Sequence, residues 1–108
     1  MRAPDPGKVL LRELLTLAGD KAALVEHKER PWASLTFSGS RHETRLLFAG
    51  HAGVVAAEAF CSALPEHEFA IPGHLLADAT TRKRDYRHLN AERPEVELTV
   101  DTLLLEEA

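Results

Sequence analysis

The chain contains few of the residues that cross-link a fold or anchor it in a membrane. Among its 108 residues are one cysteine, one tryptophan and one tyrosine. A single cysteine cannot form an internal disulfide, so the chain does not need an oxidising compartment. No apolar run approaches the roughly 20 residues of a membrane-spanning helix, and the first residues lack the apolar stretch of a secretory signal. We therefore expect a cytoplasmic protein without a membrane partner.

Basic charge is also scarce. The chain has 13 Lys and Arg residues against 17 Asp and Glu residues, a formal net charge of −4. Because nucleic-acid binding depends largely on neutralising phosphates, this balance argues against a dedicated nucleic-acid binder. A basic run at residues 82–87 precedes an acidic segment at 95–101. Charge pairs across a hairpin explain that pattern better than a stacking platform for single-stranded nucleic acid.

The apolar pattern predicts one α+β domain over residues 1–108. Asp5 and Pro6 predict the start of a helix that stops at Gly19, and an alanine-rich helix is predicted over about 52–64, ended by Pro65. The stretch 22–30 fits a short helix or, as we prefer, a strand that continues past Pro31. That strand continues through 32–37, and the remaining strands are predicted at 42–49, 67–71, 74–87 and 95–106, with a turn at 38–41.

The expected architecture is an antiparallel sheet of four to five strands with both helices on one face, in the order αββαβββ. Its predicted core consists of Leu10, Leu14, Leu17, Phe37, Phe48, Val54, Phe60, Leu64 and Val100.

Three consecutive leucines, Leu103, Leu104 and Leu105, put apolar side chains on both faces of a strand. The same occurs at 24–25, 46–48 and 75–76. Two helices cover only one face, so the pattern predicts a second body on the other, most simply another copy of the chain. We therefore interpret the protein as a non-enzymatic interaction module that forms a homodimer through the open sheet face or a long edge.

The most site-like residues surround the single tryptophan. Strand alternation would place Trp32 beside Ser34 and Thr36, with Arg41 and His42 following round the predicted turn. An interface anchor is the preferred interpretation, because Trp and Arg are favoured at interfaces; a solvated strand face is the second. The third is a site for a small anionic or planar ligand, in a binding protein or modest enzyme. That hypothesis adds His74 and Asp78, the latter as an acid or base.

Other motifs are weaker. Gly50, His51 and Gly53 lie between a strand and a helix, where free N–H groups can hold an anion; the simpler interpretation is a tight turn. The six histidines lack the short spacings of zinc motifs, so we expect neither a metal nor another cofactor. Cys61 lies on an apolar helix face and is interpreted as core. Ser38 to Ser40 does not form a nucleophile elbow, and no catalytic residue is assigned.

Two strings, Arg30–His42 (RPWASLTFSGSRH) and Phe69–Asp78 (FAIPGHLLAD), resemble a family of small uncharacterised bacterial proteins of about this length. The resemblance implies a bacterial, cytoplasmic, single-domain protein. It brings no activity, cofactor or catalytic residue.

Overall fold

The computed structural model describes residues 5–107, in which two helices cover one face of a four-stranded antiparallel sheet. The strand order is β1-β2-β4-β3. The predicted α+β class is confirmed, and 22–30 is the preferred strand. The elements are α1 (Pro6–Leu17), β1 (Ala22–Ala33), β2 (Ser38–Ala49), α2 (Gly50–Ala63), a 3-10 turn (Leu64–Glu66), β3 (His74–Arg87) and β4 (Glu95–Glu106).

Local chemistry explains the first helix. Pro6 occupies its first position, and the Asp5 carboxylate accepts a hydrogen bond from the Gly7 backbone N–H at 2.9 Å. The helix ends at Leu17, and Gly19 follows with a φ of 67°, a left-handed conformation that glycine adopts without strain. Within residues 5–107, no helix is both long and apolar enough to cross a membrane.

The core lies between the helices and alternate residues of the two central strands. Phe48 of β2 contacts Phe60 of α2, with ring centroids 6.1 Å apart, and Leu10 and Leu14 of α1 join the same cluster. Each such side chain contributes about 1.5–3 kcal/mol when fully buried. Of the predicted core, six residues are buried and Leu17 and Val54 are half-buried against them. The buried six are Leu10, Leu14, Phe48, Phe60, Leu64 and Val100.

Phe37 was wrongly predicted as core, because the first hairpin turns earlier than expected. The turn occupies residues 34–37: the Ser34 backbone N–H donates to the Phe37 carbonyl at 2.8 Å, and the Ser34 hydroxyl accepts from the Phe37 N–H at 3.1 Å. Gly39, interpreted as a turn residue, is inside β2. A Cβ there would overlap the Leu104 carbonyl oxygen, so the glycine permits close approach of two strands rather than a turn.

The short strand predicted at 67–71 does not form, so the helices and strands follow one another along the chain in the order αββαββ. Glu13 of α1 holds this segment instead: one carboxylate oxygen accepts from the Ala70 backbone N–H at 2.8 Å, and the other lies 3.1 Å from Nε2 of His67. Ile71 is buried in the core. The segment therefore packs against a helix rather than in the sheet.

Candidate functional site

The sheet face away from the helices, here called the open face, is largely covered by charged side chains. Arg82 of β3 pairs with Glu43 of β2 and, through Nε at 2.6 Å, with Asp101 of β4. Leu103 is only 9% exposed in the single chain, so this leucine of the double-faced pattern needs no second body to cover it. A second charged row crosses all four strands through Glu26, Arg45, Glu97 and Arg87.

Two of the more exposed apolar side chains lie together at one end of the open face. Phe37 is 51% exposed and Leu75 is 56% exposed. With Leu105 they line a groove of about 460 Å³, whose rim also carries Glu106 and Glu107. Leu105 lies opposite Leu75 on one side and Gly39 on the other, and Trp32 is the partner of Gly39 on β1. We call Trp32, Phe37, Leu75 and Leu105 the apolar corner.

The predicted neighbours of Trp32 are only partly beside it. The Arg41 guanidinium lies 5.9 Å from the centre of the Trp32 ring, a cation–π contact worth about 0.5–1 kcal/mol at an exposed site. Ser34 and Thr36 are exposed turn residues and do not continue the strand alternation. The tryptophan therefore shares the open face with Arg41, at the edge of the apolar corner.

His42 is separated from this group because consecutive strand residues point to opposite faces. It is 2% exposed, on the helix-covered face. His74 is also on that face, with Nδ1 3.0 Å from the Pro72 carbonyl oxygen. Asp78 is exposed at a β-bulge. Arg41 and His42 line a common cavity of about 780 Å³. The other predicted ligand-site residues do not line it: Trp32, Ser34, Thr36, His74 and Asp78.

His42 instead belongs to a group that we call the histidine cluster: His27, Glu29, Ser40 and His42. Nδ1 of His42 lies 2.8 Å from Nε2 of His27 and 3.6 Å from Oε1 of Glu29. Its Nε2 lies 2.7 Å from the Ser40 hydroxyl. The two imidazole rings are nearly parallel, at 5°, with centroids 5.0 Å apart.

A β-bulge and the strand register build this cluster. The pairing of β1 with β2 shifts between Leu24 and Glu26, after which His27 and Glu29 fall on the helix-covered face. Glu29 lies opposite His42. The sequence did offer one signal, because residues two apart in a strand share a face: Ser40 with His42, and His27 with Glu29. That the two pairs meet in one cluster depends on the register of β1 against β2, which the sequence does not show.

Burial lowers the pKa of His42, since desolvation disfavours the charged imidazolium. The carboxylates of Glu29 and Asp5 act in the opposite direction and offset part of that effect, whereas His27 and His74 add to it. The start of α1 lies over the cluster: a Cβ at Gly7 would lie 2.9 Å from Oε1 of Glu29 and 3.5 Å from Cε1 of His42. This end of α1 therefore contributes both the cover and a nearby negative charge.

The predicted anion-binding residues serve the turn and the packing of α2. The Gly50 N–H donates to the Pro94 carbonyl at 2.7 Å, and Gly50 has a φ of 80°. Gly53 is buried, and a Cβ there would lie 3.1 Å from the Phe48 backbone. His51 is exposed. The N–H of Gly50 already has a protein acceptor.

Comparison with known proteins shows the fold alone. No protein-family model matches the chain, and no curated protein matches it. The chain is similar to one in the solved structure titled "Virion of native gene transfer agent (GTA) particle", with a TM-score of 0.63 and 15% sequence identity, over 85% of this chain and 84% of that chain. The resemblance of residues 30–42 and 69–78 to small bacterial proteins stays a prediction.

Proposed function

We propose that this chain is a non-enzymatic subunit that self-associates through the apolar corner, as a dimer or within a larger assembly of identical copies. The observation that carries the proposal is the division of the open face: its middle is paired by charges, whereas Phe37 and Leu75 remain about half exposed at one end. Apolar side chains that share a groove are typical of an interaction surface.

The structural comparison supports an assembly of this kind. The similar chain belongs to a virion particle, and we extend particle formation to this protein as part of the proposal. The proposal also includes a bacterial source, which the resemblance to small bacterial proteins supports, and a cytoplasmic site of assembly, which fits the low cysteine content.

A twofold contact through the apolar corner buries four side chains, Phe37 and Leu75 of each copy. Full burial of a Leu or Phe side chain is worth about 1.5–3 kcal/mol, so covering the exposed half of Phe37 or Leu75 is worth about 1 kcal/mol. A twofold contact contains each residue twice, which gives roughly 4 kcal/mol from this pair of positions. Association costs about as much or more in lost translational and rotational freedom, so the rest of the apolar corner must supply the net affinity. Trp32 and Arg41 lie at the rim and enlarge the contact, and both residue types are enriched among interface hot spots.

Sedimentation velocity across a concentration series tests the proposal. We expect the wild-type chain to show a concentration-dependent rise in mass, and Leu75→Glu to remain monomeric, because a carboxylate would be buried at the contact. Leu89→Glu is the matched control: Leu89 is 55% exposed, against 56% for Leu75, but lies in the β3–β4 loop.

Two outcomes would overturn the proposal. One is a wild-type chain that stays monomeric at high micromolar concentration. The other is association that Leu75→Glu and Leu89→Glu weaken equally, because the apolar corner would then have no special part in it.

A further inference from the structure

We infer that the histidine cluster binds one divalent transition-metal ion of the Zn²⁺ class, with His27, Glu29 and His42 as its ligands. Each offers one ligand atom, and these atoms all lie within 4.8 Å of one another. Two imidazole nitrogens and one carboxylate oxygen form a donor set of zinc sites that keep a coordination position open to water. The sequence did not predict this site, because 15 residues separate the two histidines.

The distances between donors fit a single ion. Ligand atoms bonded at about 2.0–2.1 Å to a tetrahedral ion lie roughly 3.3 Å apart. Here Nε2 of His27 and Nδ1 of His42 are 2.8 Å apart, and Nδ1 of His42 and Oε1 of Glu29 are 3.6 Å apart. Binding therefore requires the two nitrogens to separate by roughly 0.5 Å and the rings to tilt, as the ion replaces their direct hydrogen bond. His27 is on an edge strand and only half-buried, so the movement does not disturb the core.

The fixed ligand is His42. Its side chain has no exposed surface, and the Ser40 hydroxyl lies 2.7 Å from its Nε2. When Nε2 carries the proton and donates a hydrogen bond to Ser40, Nδ1 keeps a lone pair for the ion. Hydrogen-bond partners of metal-bound histidines commonly fix the tautomer in this way. Ser40 is therefore a positioning residue of the site.

The charges nearby favour a cation, and the site is open to solvent. The carboxylates of Glu29 and Asp5 stabilise positive charge at His42, whereas the imidazoles of His27 and His74 act against it. The Glu29 side chain is 55% exposed, which gives an ion a path from solution and leaves room for a water ligand. Imidazole and carboxylate donors suit Zn²⁺ and its first-row neighbours rather than Ca²⁺ or Mg²⁺, which prefer oxygen alone.

Metal titration of the full chain after removal of metals with a chelator tests the inference. We expect Co²⁺ to produce a visible absorption band that saturates at one ion per chain, and Zn²⁺ to displace it. His27→Gln and Glu29→Gln should each weaken binding by at least roughly tenfold, since each removes one of three protein ligands. These half-buried and exposed positions are chosen because a change at buried His42 can unfold the chain.

His88→Asn is the matched control, since His88 is exposed in the β3–β4 loop and asparagine tolerates its φ of 55°. It should bind as the wild type does. The inference fails if the wild type takes up less than one ion per chain at high micromolar Co²⁺. It also fails if His27→Gln binds as tightly as His88→Asn, which would assign the uptake to scattered surface histidines.

Discussion

Replacing Gly39 with alanine tests the close approach of the two central strands. A Cβ at this position would overlap the Leu104 carbonyl oxygen and lie 3.0 Å from Cα of Leu105. These are backbone atoms, so no side-chain rotation relieves the overlap and the strands must separate. Overpacking of this kind destabilises the folded chain by about 1–3 kcal/mol. Alanine also lowers the conformational entropy of the unfolded chain, which offsets about 0.4–1 kcal/mol of that loss. Because the overlap is with backbone, the overpacking cost lies at the upper end of its range, and we expect Gly39→Ala to lower the free energy of unfolding by a net of about 2 kcal/mol.

Urea denaturation followed by circular dichroism measures this change, and thermal unfolding should show a midpoint lower by roughly 10 °C. Ser38→Ala, at the exposed neighbouring residue, is the control and should stay within about 0.5 kcal/mol of the wild type. A loss below about 0.5 kcal/mol for Gly39→Ala would refute the reasoning. It would indicate that residue 39 belongs to a turn, where no neighbouring strand opposes a side chain.

Three further predictions concern stability. Glu13→Gln should cost about 1–2 kcal/mol in urea denaturation and speed amide exchange at Ala70, because its carboxylate holds the 67–71 segment; unchanged exchange would contradict this. Phe60→Ala should cost about 3–5 kcal/mol, since the ring is fully buried against Phe48, and a thermal midpoint near that of the wild type would count against the core as described. With a chelator present, the stability that the neutral His42 contributes should be complete above a pH of about 6.5. It should decline as the pH falls towards the lowered pKa of His42 in the folded chain, because the unfolded chain binds a proton that the buried imidazole does not. Equilibrium unfolding between pH 5 and 8 should therefore show a flatter pH profile for His42→Asn than for the wild type.

Features set by neighbouring residues were predictable from the sequence. Asp5, Pro6 and Gly19 specify α1 through local hydrogen bonds and backbone conformation. The long alternating segments specify β3 and β4. Binary patterning also identified most of the core, because the period of an element determines which side chains it buries.

Features set by distant residues were not predictable. Residues 38–41 carry a local turn signal, whereas the observed turn at 34–37 contains neither glycine nor proline. The choice between them depends on how closely β4 approaches Gly39. The segment 67–71 has an apolar run typical of a strand, but Glu13, more than 50 residues earlier, takes its hydrogen bonds.

The candidate sites show the same division. Trp32 and Arg41 were grouped correctly, because they lie near each other across one hairpin. The histidine cluster depends on a bulge between Leu24 and Glu26 that the sequence did not reveal. The leucine pattern indicated apolar groups on both faces, but not that charged rows spanning the strands would cover most of the second face.

The fluorescence of Trp32, the single tryptophan of the chain, tests most directly whether the apolar corner is the contact between copies. Iodide quenching should be measured over the same concentrations as the sedimentation series. We predict that quenching falls as mass rises, with a common midpoint, and that Leu75→Glu abolishes both changes. A rise in mass while Trp32 remains equally accessible would contradict the account, because the copies would then meet at another surface.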